Sequence, residues 1–187
     1  MTPSQESAPE TGRPADDATH KRIARESLPY LLMFPLGAAV MSLSVPPGIW
    51  PWLAPLLYVT YGVVGTFWLI LFVCPYCAAY GSTLCPSGHG LLAAKLRPRK
   101  SSRDFPTQFK KNIPVIVPFW FVPFILGVVG LVTGFSWTRA VLLVVFSLDA
   151  FVLLPMGSRR RGCASCPQRG NCPWMRPASH SRKAQNA

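Results

Sequence analysis

The chain has 187 residues, half of them hydrophobic and only 14% charged, and its formal net charge is +12 at pH 7. The apolar residues form four runs of about 18 residues or more, which a soluble domain of this size does not need, whereas a helix of about 20 apolar residues crosses a bilayer. The basic residues flank these runs and form no face interleaved with base-stacking aromatic side chains, so they indicate contact with membrane lipid and exclude nucleic acid as a partner.

The pattern predicts an all-α fold, an integral membrane four-helix bundle. Residues 1–27 are rich in Pro, Ser, Ala and charge, which predicts a disordered cytoplasmic tail. The membrane domain is expected over 28–155, with a loop at 74–112 and a basic tail at 156–187. The predicted spans are 28–45, 50–73, 113–133 and 137–154.

The orientation follows from the basic residues. Lys21, Arg22 and Arg25 precede the first span, and further lysines and arginines lie in loop 74–112 and after the fourth span, while the two opposite loops hold none. By the positive-inside rule both termini and the long loop are cytoplasmic. We therefore expect a multi-pass protein of the cytoplasmic (inner) membrane.

All six cysteines fall in two segments that this orientation places on the cytoplasmic side. They are Cys74, Cys77 and Cys85 in the loop, and Cys163, Cys166 and Cys172 in the tail. Cytoplasmic thiols are kept reduced, which disfavours a disulfide framework. Each segment begins with Cys-x-x-Cys and ends with Cys-Pro, a pattern that suits iron–sulfur or Zn²⁺ ligation, so all six are candidate ligands.

The number of ligands leaves alternatives open. Two cubane clusters require eight protein ligands, and the chain has six cysteines. A single 4Fe-4S cluster would use four of them. Two clusters would use three each, with the remaining positions filled by His89, a carboxylate or an external ligand. A solvent-exposed His89 is the alternative to ligation.

Two further observations concern redox chemistry. The three histidines, His20, His89 and His180, all lie outside the predicted spans, which excludes haem b with paired axial histidines. Asp149 lies inside the fourth span, about 9 Å from its predicted end at about 1.5 Å per residue. A carboxylate there is a candidate proton relay, and a salt bridge to a basic neighbour is the alternative.

The segment Thr83-Leu-Cys85-Pro-Ser-Gly-His-Gly-Leu-Leu92 resembles a loop of the polytopic iron–sulfur quinol-oxidising subunits associated with periplasmic nitrate reductase and with nitrous-oxide reductase maturation. Those proteins carry Cys-x-x-x-Cys-Pro-x-Gly at the cytoplasmic ends of their helices. Cys85, Pro86 and Gly88 match this element, whereas Gly81 stands at the position of its first cysteine, and the run of a two-cluster ferredoxin is absent. The resemblance implies membrane electron transfer.

The leading hypothesis is therefore electron transfer through an iron–sulfur centre. The donor or acceptor would be an acidic ferredoxin or flavodoxin attracted by the basic residues, and the other partner a membrane quinone or a partner subunit. Whether the protein is an enzyme or a non-catalytic subunit of an oxidoreductase stays open. One alternative is a membrane scaffold or assembly factor stabilised by Zn²⁺. Another is a thiol–disulfide oxidoreductase, because Cys74-Pro-Tyr-Cys77 also matches the glutaredoxin active-site motif.

Overall fold

Helices make up most of the computed structural model, which describes residues 17–82, 85 and 87–162. The α-helices are α1 (Asp17–Ser44), α2 (Trp50–Phe72), α3 (His89–Leu96), α4 (Phe105–Asn112), α5 (Val117–Thr133), α6 (Trp137–Leu148) and α7 (Leu154–Gly157). Short 3-10 turns cover Cys74–Tyr76, Ser102–Asp104 and Ile113–Val115, and π-helical turns cover Asp149–Leu153 and Ser158–Gly162. This part of the chain contains no strand.

Four helical stretches are long and apolar enough to cross a membrane. They are Ile23–Ser44, Trp50–Tyr76, Ser102–Thr133 and Trp137–Arg160. Their outward faces carry large apolar side chains, such as Leu57, Val64 and Val144, each more than half exposed. A soluble protein rarely exposes so continuous an apolar surface, whereas lipid tails cover it. The predicted all-α membrane bundle of four helices is confirmed.

Helix α1 lies at the centre of the bundle, in contact with α2, α5 and α6. The interior is built around fully buried Met33, Phe119 and Phe146. Small residues allow the close approach that membrane helices use for packing. A Cβ added to Gly62 of α2 would lie 2.3 Å from the Phe119 ring.

The contacts along α1 fix the direction of the other helices. At its N-terminal part, Ile23 faces Gly88, and at its C-terminus Ser44 faces Gly130 of α5. Helix α6 begins beside that second contact, because Nη1 of Arg139 donates to the carbonyl oxygens of Gly130 and Gly134 at 3.2 and 2.8 Å. The fourth helical stretch then runs back along α1 as far as Gly162. We call the end that holds residues 74–97 the cysteine end.

The boundary between the N-terminal tail and the first span differs from the prediction. Helix α1 begins at Asp17, so residues 17–27 are helical although they were expected to be disordered; residues 1–16 lie outside the described part of the chain. The tail was delimited by hydropathy, which detects where the apolar run begins. A helix continues beyond that run when its polar residues can face water.

The third and fourth stretches also exceed their predicted limits. Helix α4 occupies residues that were assigned to the loop 74–112, and its last turn carries Lys110 and Lys111. The fourth stretch was expected to end at Leu154 but remains helical through Gly162. Asp149 therefore lies up to roughly 20 Å from the end of the helix, rather than about 9 Å, at about 1.5 Å per residue.

Candidate functional site

The first two cysteines bracket a single tight turn. Helix α2 ends at Phe72, and Cys74–Tyr76 continue as a 3-10 turn closed by the Cys77 N–H, which donates to the Cys74 carbonyl at 3.0 Å. Pro75 suits this position because the first turn of a helix requires no N–H from it. Both thiols are partly buried, and Cys74 is within electrostatic reach of Cys77 and Cys85. The turn thus brings three cysteines into one neighbourhood.

Cys85 is held at the start of α3 by contacts to its sulfur. The Gly90 backbone N–H donates to Cys85 Sγ at 3.4 Å, and Ser87 Oγ lies 3.6 Å from the same sulfur. Gly88 adopts φ of +69°, a left-handed conformation that favours glycine, and so lets the chain turn from Cys85 into α3. An N–H directed at a sulfur stabilises the thiolate form in which cysteine reacts or binds metal.

His89 is connected to Cys85 through Ser87. Its Nδ1 lies 3.0 Å from Ser87 Oγ, and the contact from Ser87 continues to the Cys85 sulfur. Burial lowers the pKa of His89, so its imidazole is neutral at pH 7. The neutral ring is the form that coordinates metals.

The segment between Cys77 and α3 folds back onto the helix. The Gly81 N–H donates to the Gly90 carbonyl at 3.1 Å, and buried Ala79 packs so closely that an added Cβ on Gly90 would lie 2.5 Å from the Ala79 oxygen. The Tyr80 hydroxyl donates to the Arg97 carbonyl at 2.5 Å and so fixes the end of α3. Cys77 and Cys85 are therefore positioned by backbone contacts rather than carried on a loose loop.

Basic side chains cover this segment. The Lys100 ammonium lies 5.3 Å from the Tyr76 ring centroid and donates to the Tyr76 hydroxyl at 3.3 Å, while the Lys100 N–H donates to the Pro75 carbonyl at 2.9 Å. The Arg97 guanidinium lies 5.6 Å from the Phe72 ring centroid. Positive charge is thus fixed beside the turn that carries Cys74 and Cys77.

Within the described residues, no three or more His, Cys, Asp or Glu side chains are arranged to hold a metal ion. The first cysteine segment by itself therefore does not fit a cluster, and His89 is held by Ser87 rather than placed among the thiols. The cysteines of the second segment, Cys163, Cys166 and Cys172, lie outside the described residues. Among the described residues, Cys74, Cys77 and Cys85 form no disulfide.

Asp149 is the buried acid of the membrane domain. Its side chain is 3% exposed, and neither carboxyl oxygen has a hydrogen-bond partner among the described residues. Buried Asn112 is different, because its amide accepts from Trp68 Nε1 at 2.9 Å and donates to the Gln108 carbonyl at 2.8 Å. The side chain of Arg161, one of the basic residues that could pair with Asp149, lies outside the described part of the chain.

Two residues of the site were not singled out from the sequence. Ser87 and Gly90 both contact the Cys85 sulfur. The Ser-Gly-His-Gly run after Cys85 was a signal for a tight turn, but only the fold shows that the Gly90 N–H is directed at sulfur.

The chain matches no protein-family model, no curated protein and no solved structure. The site is therefore interpreted from its own residues.

Proposed function

We propose that the two cysteine segments together bind an iron–sulfur centre and that the protein transfers electrons between a redox partner at the cysteine end and a quinone or partner subunit in the membrane. The observation that carries this proposal is the direction of the helices. Residues 74–97 lie at one end of the bundle, and the fourth helical stretch runs back along α1 to Gly162 at the same end. Cys163 is the next residue in the sequence.

The chemistry of the first segment supports the same proposal. A thiolate centre needs more ligands than the described residues supply, and the remaining cysteines are those of the second segment. The Gly90 N–H at the Cys85 sulfur and the basic groups of Arg97 and Lys100 would stabilise the negative charge of a thiolate cluster. The resemblance of residues 83–92 to membrane iron–sulfur proteins agrees with this proposal.

The second candidate is thiol–disulfide exchange, which one observation favours. Cys74 and Cys77 share one 3-10 turn and lie within electrostatic reach of each other, and the described residues include no arranged metal-ligand group. Such a pair can form and release a disulfide without metal. A Zn²⁺-stabilised scaffold uses the same ligands as the iron–sulfur proposal and is distinguished by the metal alone.

The test is anaerobic purification of the full-length protein in detergent, with analysis of iron, sulfide and zinc and electron paramagnetic resonance after reduction. We expect iron and sulfide in cluster stoichiometry and a signal on reduction. Cys85→Ser and Cys166→Ser should each lower the iron content severalfold, because each removes a thiolate ligand. Ser82→Ala is the matched control, since Ser82 donates only to the Ala79 carbonyl of the same loop.

The other possible results of this test each favour a different function or arrangement of the site. Stoichiometric zinc without iron would replace electron transfer by the scaffold function. Metal-free protein with a reversible Cys74–Cys77 disulfide would favour thiol–disulfide exchange. Loss of iron in Cys85→Ser but not in Cys166→Ser would show that the two segments do not share a centre.

A further inference from the structure

The interior of the bundle contains an acid that the proposed function does not use. Asp149 faces the buried core formed by α1, α2, α5 and α6, with 3% of its surface exposed. Both of its oxygens lack a hydrogen-bond partner in the described part of the chain. Asn112 and Asp149 are the two buried polar residues of the described part of the chain. The Asn112 amide makes two hydrogen bonds, whereas the Asp149 carboxyl group makes none.

The local backbone around Asp149 departs from an α-helix. Residues Asp149–Leu153 form a π-helical turn between α6 and α7. Pro155 explains the change, because it lacks an N–H and its ring would clash with the carbonyl of Phe151 in a regular helix. π-turns of this kind are frequent at functional sites, where they redirect a side chain. Here the turn places Asp149 and Ala150 in the core, while Phe151 to Leu153 face outward.

An ionised carboxylate is strongly disfavoured in this position. With 3% of its surface exposed it would have almost no contact with bulk solvent, and no hydrogen-bond donor among the described residues would stabilise its charge. The charged residues on the helices that contact this turn lie toward the helix ends: Lys21, Arg25 and Glu26 in α1, Arg139 in α6, and Arg159 and Arg160 after α7. The protonated acid is therefore the form that the surroundings favour.

We propose that Asp149 is a proton-exchange site inside the membrane domain. The ligand is a proton. The carboxylic acid releases it to leave a carboxylate and takes one up to restore the acid, with no electron transferred in either direction. The site depends on the bundle alone and holds whether or not the cysteines bind a metal.

The test uses the full-length protein in lipid vesicles and infrared difference spectroscopy. We expect a carbonyl band of a protonated carboxyl group that shifts in D₂O, diminishes as the pH is raised, and is absent from Asp149→Asn. Asp104→Asn is the matched control, because Asp104 is exposed at the end of the loop, and it should leave the band unchanged.

Identical carboxyl bands with and without Asp149 would overturn the site, because the residue would then be ionised. A carboxyl band that neither exchanges in D₂O nor diminishes as the pH is raised would overturn the proposal, because Asp149 would then be a purely structural acid.

Discussion

Gly90 lies at the tightest contact of the cysteine segment. An added Cβ would be 2.5 Å from the Ala79 carbonyl oxygen and 3.2 Å from Cys85 Cβ. The Ala79 oxygen belongs to the backbone, so it can move away only if the loop shifts. The residue also donates its N–H to the Cys85 sulfur. Its missing side chain therefore sets the position of a candidate functional thiol.

We expect Gly90→Ala to destabilise the protein by about 1–3 kcal/mol, as overpacking does, and to lower the alkylation rate of Cys85, because a longer amide contact stabilises its reactive thiolate less. Thermal unfolding in detergent and peptide-resolved alkylation measure the two effects. Gly157→Ala is the control, because an added Cβ there meets nothing within 4 Å. Equal alkylation of Cys85 in both variants would show that Gly90 does not position the thiol.

Single residues also show where prediction from sequence ends. Cys74, Cys77 and Cys85 were predicted to share a site because their spacing is visible in the chain, and Cys74 and Cys77 bracket one 3-10 turn. Gly90 and Ala79 meet only after the loop folds back, so no local pattern indicates the contact. Asp149 was recognised as an acid inside a span, but its burial and missing partners depend on neighbouring helices.

At the scale of the helix, two glycines of α2 make a matched pair. Gly62 and Gly65 are both buried, but an added Cβ would lie 2.3 Å from the Phe119 ring at Gly62 and no nearer than 3.9 Å to any atom at Gly65. Phe119 is fully buried and stacked on Tyr58, so its ring has no space into which to move. The same substitution should therefore have opposite effects at the two positions.

We expect Gly62→Ala to lower the free energy of unfolding by about 1–3 kcal/mol, because it overpacks the core. Gly65→Ala should leave the stability unchanged or raise it by up to about 1 kcal/mol, since alanine favours a helix. Thermal unfolding of both variants in the same detergent measures the difference. If the two lose the same stability, the close packing of α2 against α5 is wrong.

The existence of the helices was predictable, but their limits were not. Runs of apolar residues locate the spans because the hydrocarbon core imposes a minimum length. The limits differ where polar sequence continues the helix, as at Asp17 in α1 and over Phe105–Asn112 in α4. The π-turn at Asp149–Leu153 was not predicted, although Pro155 was visible, because proline indicates a break without specifying its form.

At the scale of the whole molecule, the helix directions place residues 74–97 and Gly162, the residue before Cys163 in the sequence, at one end. This end also holds the basic residues of the loop 74–112, including Arg97 and Lys100. The turn between α1 and α2, with exposed Ile49, lies at the other end and has no basic residue. The geometry establishes two ends, and the charge difference predicts which of them faces the cytoplasm.

We therefore expect a membrane-impermeant maleimide to leave Cys85 and Cys172 unmodified in intact cells and to modify both in inside-out vesicles from which bound metal has been removed with a chelator. Ile49→Cys supplies the internal control, because the introduced thiol lies at the opposite end and should be modified in intact cells. Peptide-resolved mass spectrometry of the full-length protein separates the positions within a single sample.

The two native cysteines should always respond together, since the fourth helical stretch returns to the end from which the first one starts. Modification of Cys85 and Cys172 from opposite sides of the membrane would contradict the four-span bundle itself. If both are modified in intact cells and the thiol introduced by Ile49→Cys is not, the bundle is retained and its orientation is reversed. In the second case the thiols would face an oxidising compartment, which would favour disulfide chemistry over an iron–sulfur centre.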